Sequence, residues 1–515
     1  MEYLECKFSD MSQETDVVVK LDSQATQKRE SFKKWKSQKL KLPPGPWKLP
    51  FIGSLHHLAL SGPIPHHGLT NLAKRYGPLM YLQLGEVDMV VISSPRMAKE
   101  VLKTHDLVFA TRPKHMTYSD IVHYGSTDVV FSPYGAYWRQ IRKICILELL
   151  SAKVVNNFVS SIRQDELLNM TSSIRSMSNI KVNLTEKIIW FTSSVTCRSA
   201  LGKISNEHQD KLIYLLKEML SLSIAVNVAD FFPKWKFLHD LGGSRSRLLK
   251  VHSKVDEILE YVVNEHIQSR ANGKMGNGEY GSEDLIDVML RVRESGELQF
   301  PISDDNIKAI ILDMFSAGSE TTSTTINWAF SEMTKHPSVF AKAQAEVRQS
   351  LKGKKDFQQI DLDELKYLKL VIKETLRMHP PVPLFVPREC MEETKIDGYV
   401  IPLKGRLLVN AWAIGRDPES WDDPENFLPE RFENSHVDFL GNHHQFIPFS
   451  SGRRMCPGML FGLANVGQLL AQLLYHFDWK LPNGQSHQSL DMTESAGVSA
   501  TRKEDLILIP TPYDS

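Results

Sequence analysis

The sequence predicts a mainly α fold with a smaller β region, built as one large domain. Three observations predict it. Apolar residues recur with a helical period over much of the chain, most plainly from Ser303 to Lys335, from Met459 to Phe477 and across the stretch between Asn183 and Glu294. Strict alternation of β-formers is confined to short runs, Leu79–Leu84 and Val87–Ser93 among them. At 515 residues two or more domains are the default expectation. No Gly/Ser linker, repeat or low-complexity tract divides the chain, however, and the longest loose segment, Ala271–Asp284, falls between two helical patterns.

Formal net charge is zero, which argues against a nucleic-acid partner held by phosphate contacts. The five cysteines (Cys6, Cys145, Cys197, Cys390 and Cys456) are odd in number and widely spaced. That is a reduced, intracellular pattern rather than a disulfide framework.

Residues 1–41 form a polar and then basic N-terminal segment. Met1–Gln27 holds neither a signal-peptide core nor the roughly 20 apolar residues that span a bilayer, so no transmembrane anchor is expected here. Lys28, Arg29, Lys33, Lys34, Lys36, Lys39 and Lys41 follow, a run that is usually a solvated face. Leu42–Pro50 is dense in proline and reads as a stiff extended segment. The runs on either side of Gly85–Glu86 read as a hairpin, and Pro95 opens a helix reaching about Thr104. Trp138 and Arg142 are four apart in a helical pattern that runs to about Leu150, so they share a face. Between Leu220 and Leu238, Ile224, Val226, Val228, Phe231, Phe232, Trp235 and Phe237 cluster with little charge, for which core packing is the ordinary explanation.

The helix from Ser303 to about Lys335 starts on Ser303 with Asn306 and ends at His336–Pro337. Ala317–Thr322 is poor helical sequence, since glycine costs about 1 kcal/mol relative to alanine and the threonines add strain. Met314, Ala317, Gly318 and Thr321 nevertheless line one face. A small-residue contact between helices would explain the hexapeptide alone. Glu374 and Arg377 pair three apart on one helix, as on countless surfaces. Pro380–Arg388 is extended, and Pro429–Glu430–Arg431–Phe432 follows.

The strongest signal is Phe449–Ser450–Ser451–Gly452–Arg453–Arg454–Met455–Cys456–Pro457–Gly458, a cysteine in a Gly- and Arg-rich turn that opens onto a helix. A single cysteine is more often a small buried hydrophobe. The spaced set F-x-x-G-x-R-x-C-x-G, however, has a chance expectation on the order of 10⁻⁴ in such a chain. A thiolate metal ligand needs charge compensation, and Arg454 and the opening helix are expected to supply it. Phe449 is expected to cover the sulfur with an apolar face. Gly452 and Gly458 are expected to let the chain approach a flat macrocycle.

This stretch resembles the haem-binding signature of the cytochrome P450 monooxygenases, with Ser450 where the family usually has glycine. The likeness covers roughly Leu42 to Ser515 and implies the cytochrome P450 fold and haem b (iron protoporphyrin IX), with Cys456 as thiolate ligand to iron. By the same resemblance Trp138 and Arg142 form the W-x-x-x-R pair that holds a propionate, Arg388 reaches a propionate, and Arg454 and Phe449 complete the cofactor site. Ala317–Thr322 is similar to the family's A-G-x-D/E-T-T/S motif. It implies that Ala317 and Gly318 leave room for dioxygen, that Thr321 is the distal hydroxyl donor and that Glu320 relays protons from water. Glu374, Arg377 and Arg431 resemble the structural E-x-x-R and P-E-R-F triad. Met314, Val382, Leu384, Phe385, Ala496 and Val498 are the implied substrate-pocket residues.

Leu473–Pro482 and Pro510–Tyr513 resemble plant terpenoid hydroxylases of the family, which implies hydroxylation of an apolar terpenoid. The alternatives are an alkaloid substrate, a haem-thiolate isomerase or dehydratase, and a haem-binding protein without activity. No G-x-G-x-x-G follows a predicted strand, so electrons are expected from a separate NADPH-dependent flavoprotein reductase docking near Cys456 and Arg453. The basic flank and the 220–238 cluster resemble membrane-facing parts of plant microsomal members. They imply the cytosolic face of the endoplasmic reticulum and contact with its surface.

Overall fold

The structure is a computed structural model that describes residues 41–114, 116–223, 228–235, 243–273, 283–352 and 363–513. The polar N-terminal residues 1–40 lie outside these, as do Ile224, Val226, Phe237 and the side chain of Val228.

The extended Pro-rich segment runs beside a small sheet. Pro44 accepts the Tyr81 N–H at 2.8 Å and Lys41 accepts that of Val400 at 2.9 Å. The chain passes so close that a Cβ on Gly45 would lie 1.9 Å from the Tyr81 carbonyl oxygen. Strand β1 (Leu79–Leu84) pairs antiparallel with β2 (Val87–Ile92), as the alternation predicts. Two later segments complete the sheet, β3 (Arg388–Glu389) and β4 (Arg406–Val409), in the order β1-β2-β4-β3. Pairing of β4 parallel to β2 and antiparallel to β3 carries Arg388 from an extended segment to a fixed place beside the cysteine loop.

The helices do most of the enclosing. Helix α1 (Pro65–Tyr76) precedes the sheet, and α2 (Ala136–Ile144) carries Trp138 and Arg142. The helical patterns at Pro95 and at α2 both widen into a turn of π-helix, Glu100–Thr104 and Cys145–Leu149. Such turns often mark functional places. Helix α3 (Leu184–Leu201) packs along α4 (Asp304–Lys335), which begins on a capping box between Ser303 and Asn306, the pair read from sequence.

Helix α4 is buried along most of its length although rich in Ser, Thr and Asn. It survives because those side chains bond back to carbonyls four residues earlier: Ser316 to Leu312, Thr325 to Thr321, Ser331 to Asn327 and Thr334 to Phe330. Helices α5 (Lys366–Met378) and α6 (Met459–His476) join α3 and α4 in the main core, where Phe191, Ile326, Phe330, Val371 and Leu470 are fully enclosed. Each such side chain contributes about 1.5–3 kcal/mol relative to exposure. Helix α6 is apolar on nearly all sides, which suits its central place. Among the described residues no single helix is long and apolar enough to cross a membrane.

Candidate active site

The cysteine loop is held by its own backbone and by neighbours far away in sequence. The Cys456 N–H donates to the Phe449 carbonyl at 2.9 Å, and Met455 N–H to Gly452 at 3.0 Å. Gly452 takes φ +73°, and a Cβ there would lie 2.3 Å from the Leu102 carbonyl oxygen of the first π-turn and 2.6 Å from the Asp106 carboxylate. Its glycine is thus required by packing against protein, a different reason from the expected approach to a macrocycle. Ser450 also has positive φ, +62°, and its hydroxyl accepts from Arg388 Nη2 at 3.2 Å.

Cys456 is enclosed by protein, and the surface it exposes faces a cavity of about 310 Å³. Burial pushes the thiol pKa up, while the Gly458 N–H and the charge of Arg142 pull it down. Compensation by Arg454, expected from its position two residues away, is replaced by Arg142. The reason is that Arg454 is committed elsewhere, donating to the carbonyls of Ala110 (2.7 Å), Val129 (3.2 Å) and Ser132 (2.5 Å).

Four arginines line this cavity: Arg112, Arg142, Arg388 and Arg454. Arg142 donates to the Met455 carbonyl at 2.5 Å. Arg112 donates to Val130 (2.8 Å), Val386 (2.7 Å) and Pro387 (3.0 Å). Among the described residues Arg388 Nη1 makes no hydrogen bond, and its paired carboxylate, Asp106, is 3.7 Å away. Burial, then Arg454 and Arg388, hold Arg112 well below the usual guanidinium pKa; burial, then Arg388 and Arg142, bring Arg454 down to about 9. Since a guanidinium stays charged in proteins, these depressions express burial first and mutual repulsion second, and an anion in the cavity would offset both.

Trp138 is buried behind this wall and does not line the cavity. Its indole N–H donates to Val129 at 3.0 Å, and its ring lies 4.1 Å from the Arg454 guanidinium and 5.4 Å from that of Arg142.

Met314, Ala317, Gly318 and Thr321 of α4 line the same cavity, joined by Thr322 and Thr325. The Thr321 hydroxyl donates to the Ala317 carbonyl at 2.6 Å. A Cβ on Gly318 would meet the Thr196 methyl at 3.3 Å. Glu320 is not in the lining; it hydrogen-bonds the buried Ser499. Burial raises the Glu320 pKa and the Ser499 bond opposes the rise.

Val382 and Phe385 line the cavity with Phe449. Leu384 instead packs against an apolar cluster that includes Leu69 of α1 and Met80 and Leu82 of the sheet, in a turn where the Phe385 N–H donates to the Val382 carbonyl at 3.2 Å and Phe385 adopts φ +54°. Ala496 and Val498 are exposed and outside this lining. Their turn is still tied to the site, through Ala500 N–H to Pro381 (2.9 Å) and Trp328 Nε1 to the Ala500 carbonyl (2.6 Å).

On the far side of the core Glu374 receives both Nε and Nη2 of Arg377 at 2.8 Å and Nε of Arg431 at 2.9 Å, while Arg377 also binds the Gly415 and Pro424 carbonyls. Arg112 and Ser499 were not legible in the sequence, because neither belongs to a local pattern and only the fold brings them here.

Residues 43–509 match the family described as Cytochrome P450. The chain belongs to the cytochrome P450 family. It is 59% identical to premnaspirodiene oxygenase of Hyoscyamus muticus over 94% of this chain and 95% of that one. With 5-epiaristolochene 1,3-dihydroxylase of Nicotiana tabacum it shares 57% identity over 94% and 95%. A solved zebra fish cytochrome P450, described with progesterone, superposes with a TM-score of 0.75 at 26% identity, covering 87% of this chain and 99% of that one. A cytochrome P450 with oxygenase relatives is an oxidoreductase of the monooxygenase class, and the family carries haem. The residues present fit that group: one thiol opens onto the cavity, four crowded cations line it, and one guanidinium nitrogen, Arg388 Nη1, has no hydrogen bond among the described residues.

Proposed function

We propose that this P450 hydroxylates an apolar terpenoid, taking electrons from a separate NADPH-dependent flavoprotein reductase. The observation that carries the reading is that Cys456 and the Ala317–Gly318–Thr321 face of α4 line one cavity. When bound, the haem supplies reductive activation of dioxygen, and thiolate donation favours O–O cleavage.

The chain's own residues provide the setting. Cys456 is the thiolate ligand, with Arg142 and the Gly458 N–H favouring its anionic form. Arg388, Arg142, Arg454 and Arg112 neutralise the two propionates, for which guanidinium geometry is suited. Trp138 buttresses Arg454 and Arg142 from behind, and Phe449 shields the sulfur side. On the opposite wall Thr321 can turn its hydroxyl from the Ala317 carbonyl toward the cavity. Glu320, whose raised pKa keeps more of it protonated than an exposed glutamate, passes protons from water. Met314, Ala317, Val382 and Phe385 offer an apolar surface to a hydrocarbon substrate and exclude water from it.

The terpenoid reading is supported by the activities for which the relatives are named, premnaspirodiene oxygenase and 5-epiaristolochene 1,3-dihydroxylase. Contact with a membrane surface, which by family resemblance is the cytosolic face of the endoplasmic reticulum, is supported by exposed apolar side chains at Trp47, Phe51, Leu60 and Trp235.

The test is reductase-coupled turnover with NADPH against a panel of sesquiterpenes, other terpenes and indole alkaloids. Hydroxylated terpene is the expected product; turnover of alkaloids alone would overturn the substrate class. Reduced protein with carbon monoxide should show the strongly red-shifted Soret band of thiolate ligation, and Cys456→Ala should lose it.

A further inference from the structure

Asp313 belongs to none of the sequence motifs, yet it organises the wall on which the arginines stand. It lies on α4 beside Met314, and only 2% of it is exposed. Its Oδ2 accepts the backbone N–H of Val129 at 2.7 Å and that of Val130 at 3.0 Å. The Val129–Val130 peptide is therefore held at both ends, since its carbonyl accepts Trp138 Nε1 at 3.0 Å and Arg454 Nη1 at 3.2 Å.

The next peptide repeats the pattern. Its N–H, from Phe131, donates to the Asp128 carboxylate at 3.1 Å, and its carbonyl, from Val130, accepts Arg112 Nε at 2.8 Å. Asp128 and Asp313 are hydrogen-bonded to each other, and His123 Nδ1 lies 3.2 Å from one and 3.4 Å from the other. An acceptor oxygen on an amide N–H polarises the same peptide's carbonyl and strengthens what that carbonyl holds.

We propose that Asp313 is a positioning residue for the anion-binding arginines: acting through the Val129–Val130 peptide, and with Asp128 through the peptide that follows, it sets the places of Arg454 and Arg112. The helix that carries the oxygen-side residues and the cations that grip the propionates then form one mechanical unit. The inference rests on reading the cavity as a haem pocket.

Two hydrogen-bonded buried carboxyls share a proton, because both cannot be ionised so close together. Burial and Asp128 indeed raise the Asp313 pKa well above the usual value. Asn reproduces this neutral form, with an amide oxygen for the two N–H groups and an NH₂ for Asp128. Ala reproduces neither.

The test uses ferric holoenzyme and measures haem transfer to excess apomyoglobin alongside the thermal midpoint. Asp313→Ala is expected to speed transfer about tenfold, and Asp313→Asn to stay within about twofold of wild type. In an Arg454→Ala background, Asp313→Ala should add less than about twofold, because the two changes remove one linkage. If the Ala variant does not retain haem, Asp313→Thr, with one hydroxyl acceptor, should fall between Ala and wild type. Wild-type transfer in Ala or Thr, equal defects in Ala and Asn, or full multiplication with Arg454→Ala would overturn the inference while leaving the haem reading intact. Absence of the red-shifted Soret band in reduced, carbon monoxide-treated wild type would instead remove the haem reading on which it rests.

Discussion

Arg388 Nη2 donates to the Ser450 hydroxyl at 3.2 Å, and Ser450 holds this position at φ +62°, in a region that favours glycine. One serine thus combines a backbone cost with a bond to a buried cation. A non-glycine residue in this region costs about 1–3 kcal/mol, and a hydrogen bond to a charged group contributes about 1.5–3 kcal/mol. The two nearly cancel, which explains how the cysteine loop tolerates a residue other than glycine here.

Substitution separates the terms. Ser450→Gly removes both strain and bond and should change the thermal midpoint little. Ser450→Ala keeps the strain and loses the bond, and is expected to cost about 1.5–3 kcal/mol. Thermal unfolding of the two holoproteins side by side checks this; an alanine variant as stable as the glycine one would contradict it.

The Glu374 carboxylate is fully buried against two arginines, Arg377 and Arg431. Glu374→Ala leaves both guanidinium groups without their carboxylate and should destabilise the protein by about 3–5 kcal/mol. The expected result is a loss of folded, haem-containing protein on expression, measured as the ratio of Soret absorbance to total protein. Surface pairs such as Arg96–Asp397 should give no comparable loss when broken.

How far the sequence reached depends on the range of the interaction. The hairpin about Gly85, the Ser303–Asn306 cap and the backbone turn of the cysteine loop rest on local chemistry, and all were legible. Arg112, Asp313 and Ser499 were not, because each acts across the fold; Asp313 and Val129 are 184 positions apart. Nearness along the chain also misled. Arg454 is two residues from Cys456 yet bonds three carbonyls of another segment, while Arg142, from a distant helix, takes the place beside the thiol. Leu384, implied as a pocket residue by family resemblance, lies outside the lining, in a turn whose positive φ at Phe385 no local pattern announces.

Glu332 offers a test by acid. Burial opposes its charge, but hydrogen bonds from His336 and His379 outweigh burial and bring its pKa down from 4.5 to about 2. A depressed carboxylate pKa means stability that is fully present above the ordinary value and lost as pH falls toward the folded one. The contribution at neutral pH is roughly 3 kcal/mol. Glu332→Gln should forfeit it and flatten the dependence of stability on pH between 4.5 and 2, as followed by denaturant midpoints across that window.

The Ser499–Glu320 bond makes a prediction about turnover. Glu320 already has a raised pKa through burial, and the Ser499 hydroxyl restrains that rise by stabilising the anion. Ser499→Ala removes the restraint, so Glu320 should hold its proton to higher pH. If Glu320 supplies protons during turnover, the alkaline limb of product formed per NADPH oxidised moves upward in pH in Ser499→Ala. In Glu320→Gln that limb should vanish along with most of the coupling, because the amide cannot release a proton. Normalising to NADPH separates this effect from any pH dependence of the reductase. Profiles for Ser499→Ala that coincide with wild type, with Glu320→Gln still coupled, would remove Glu320 from proton delivery and leave Thr321 and water to account for it.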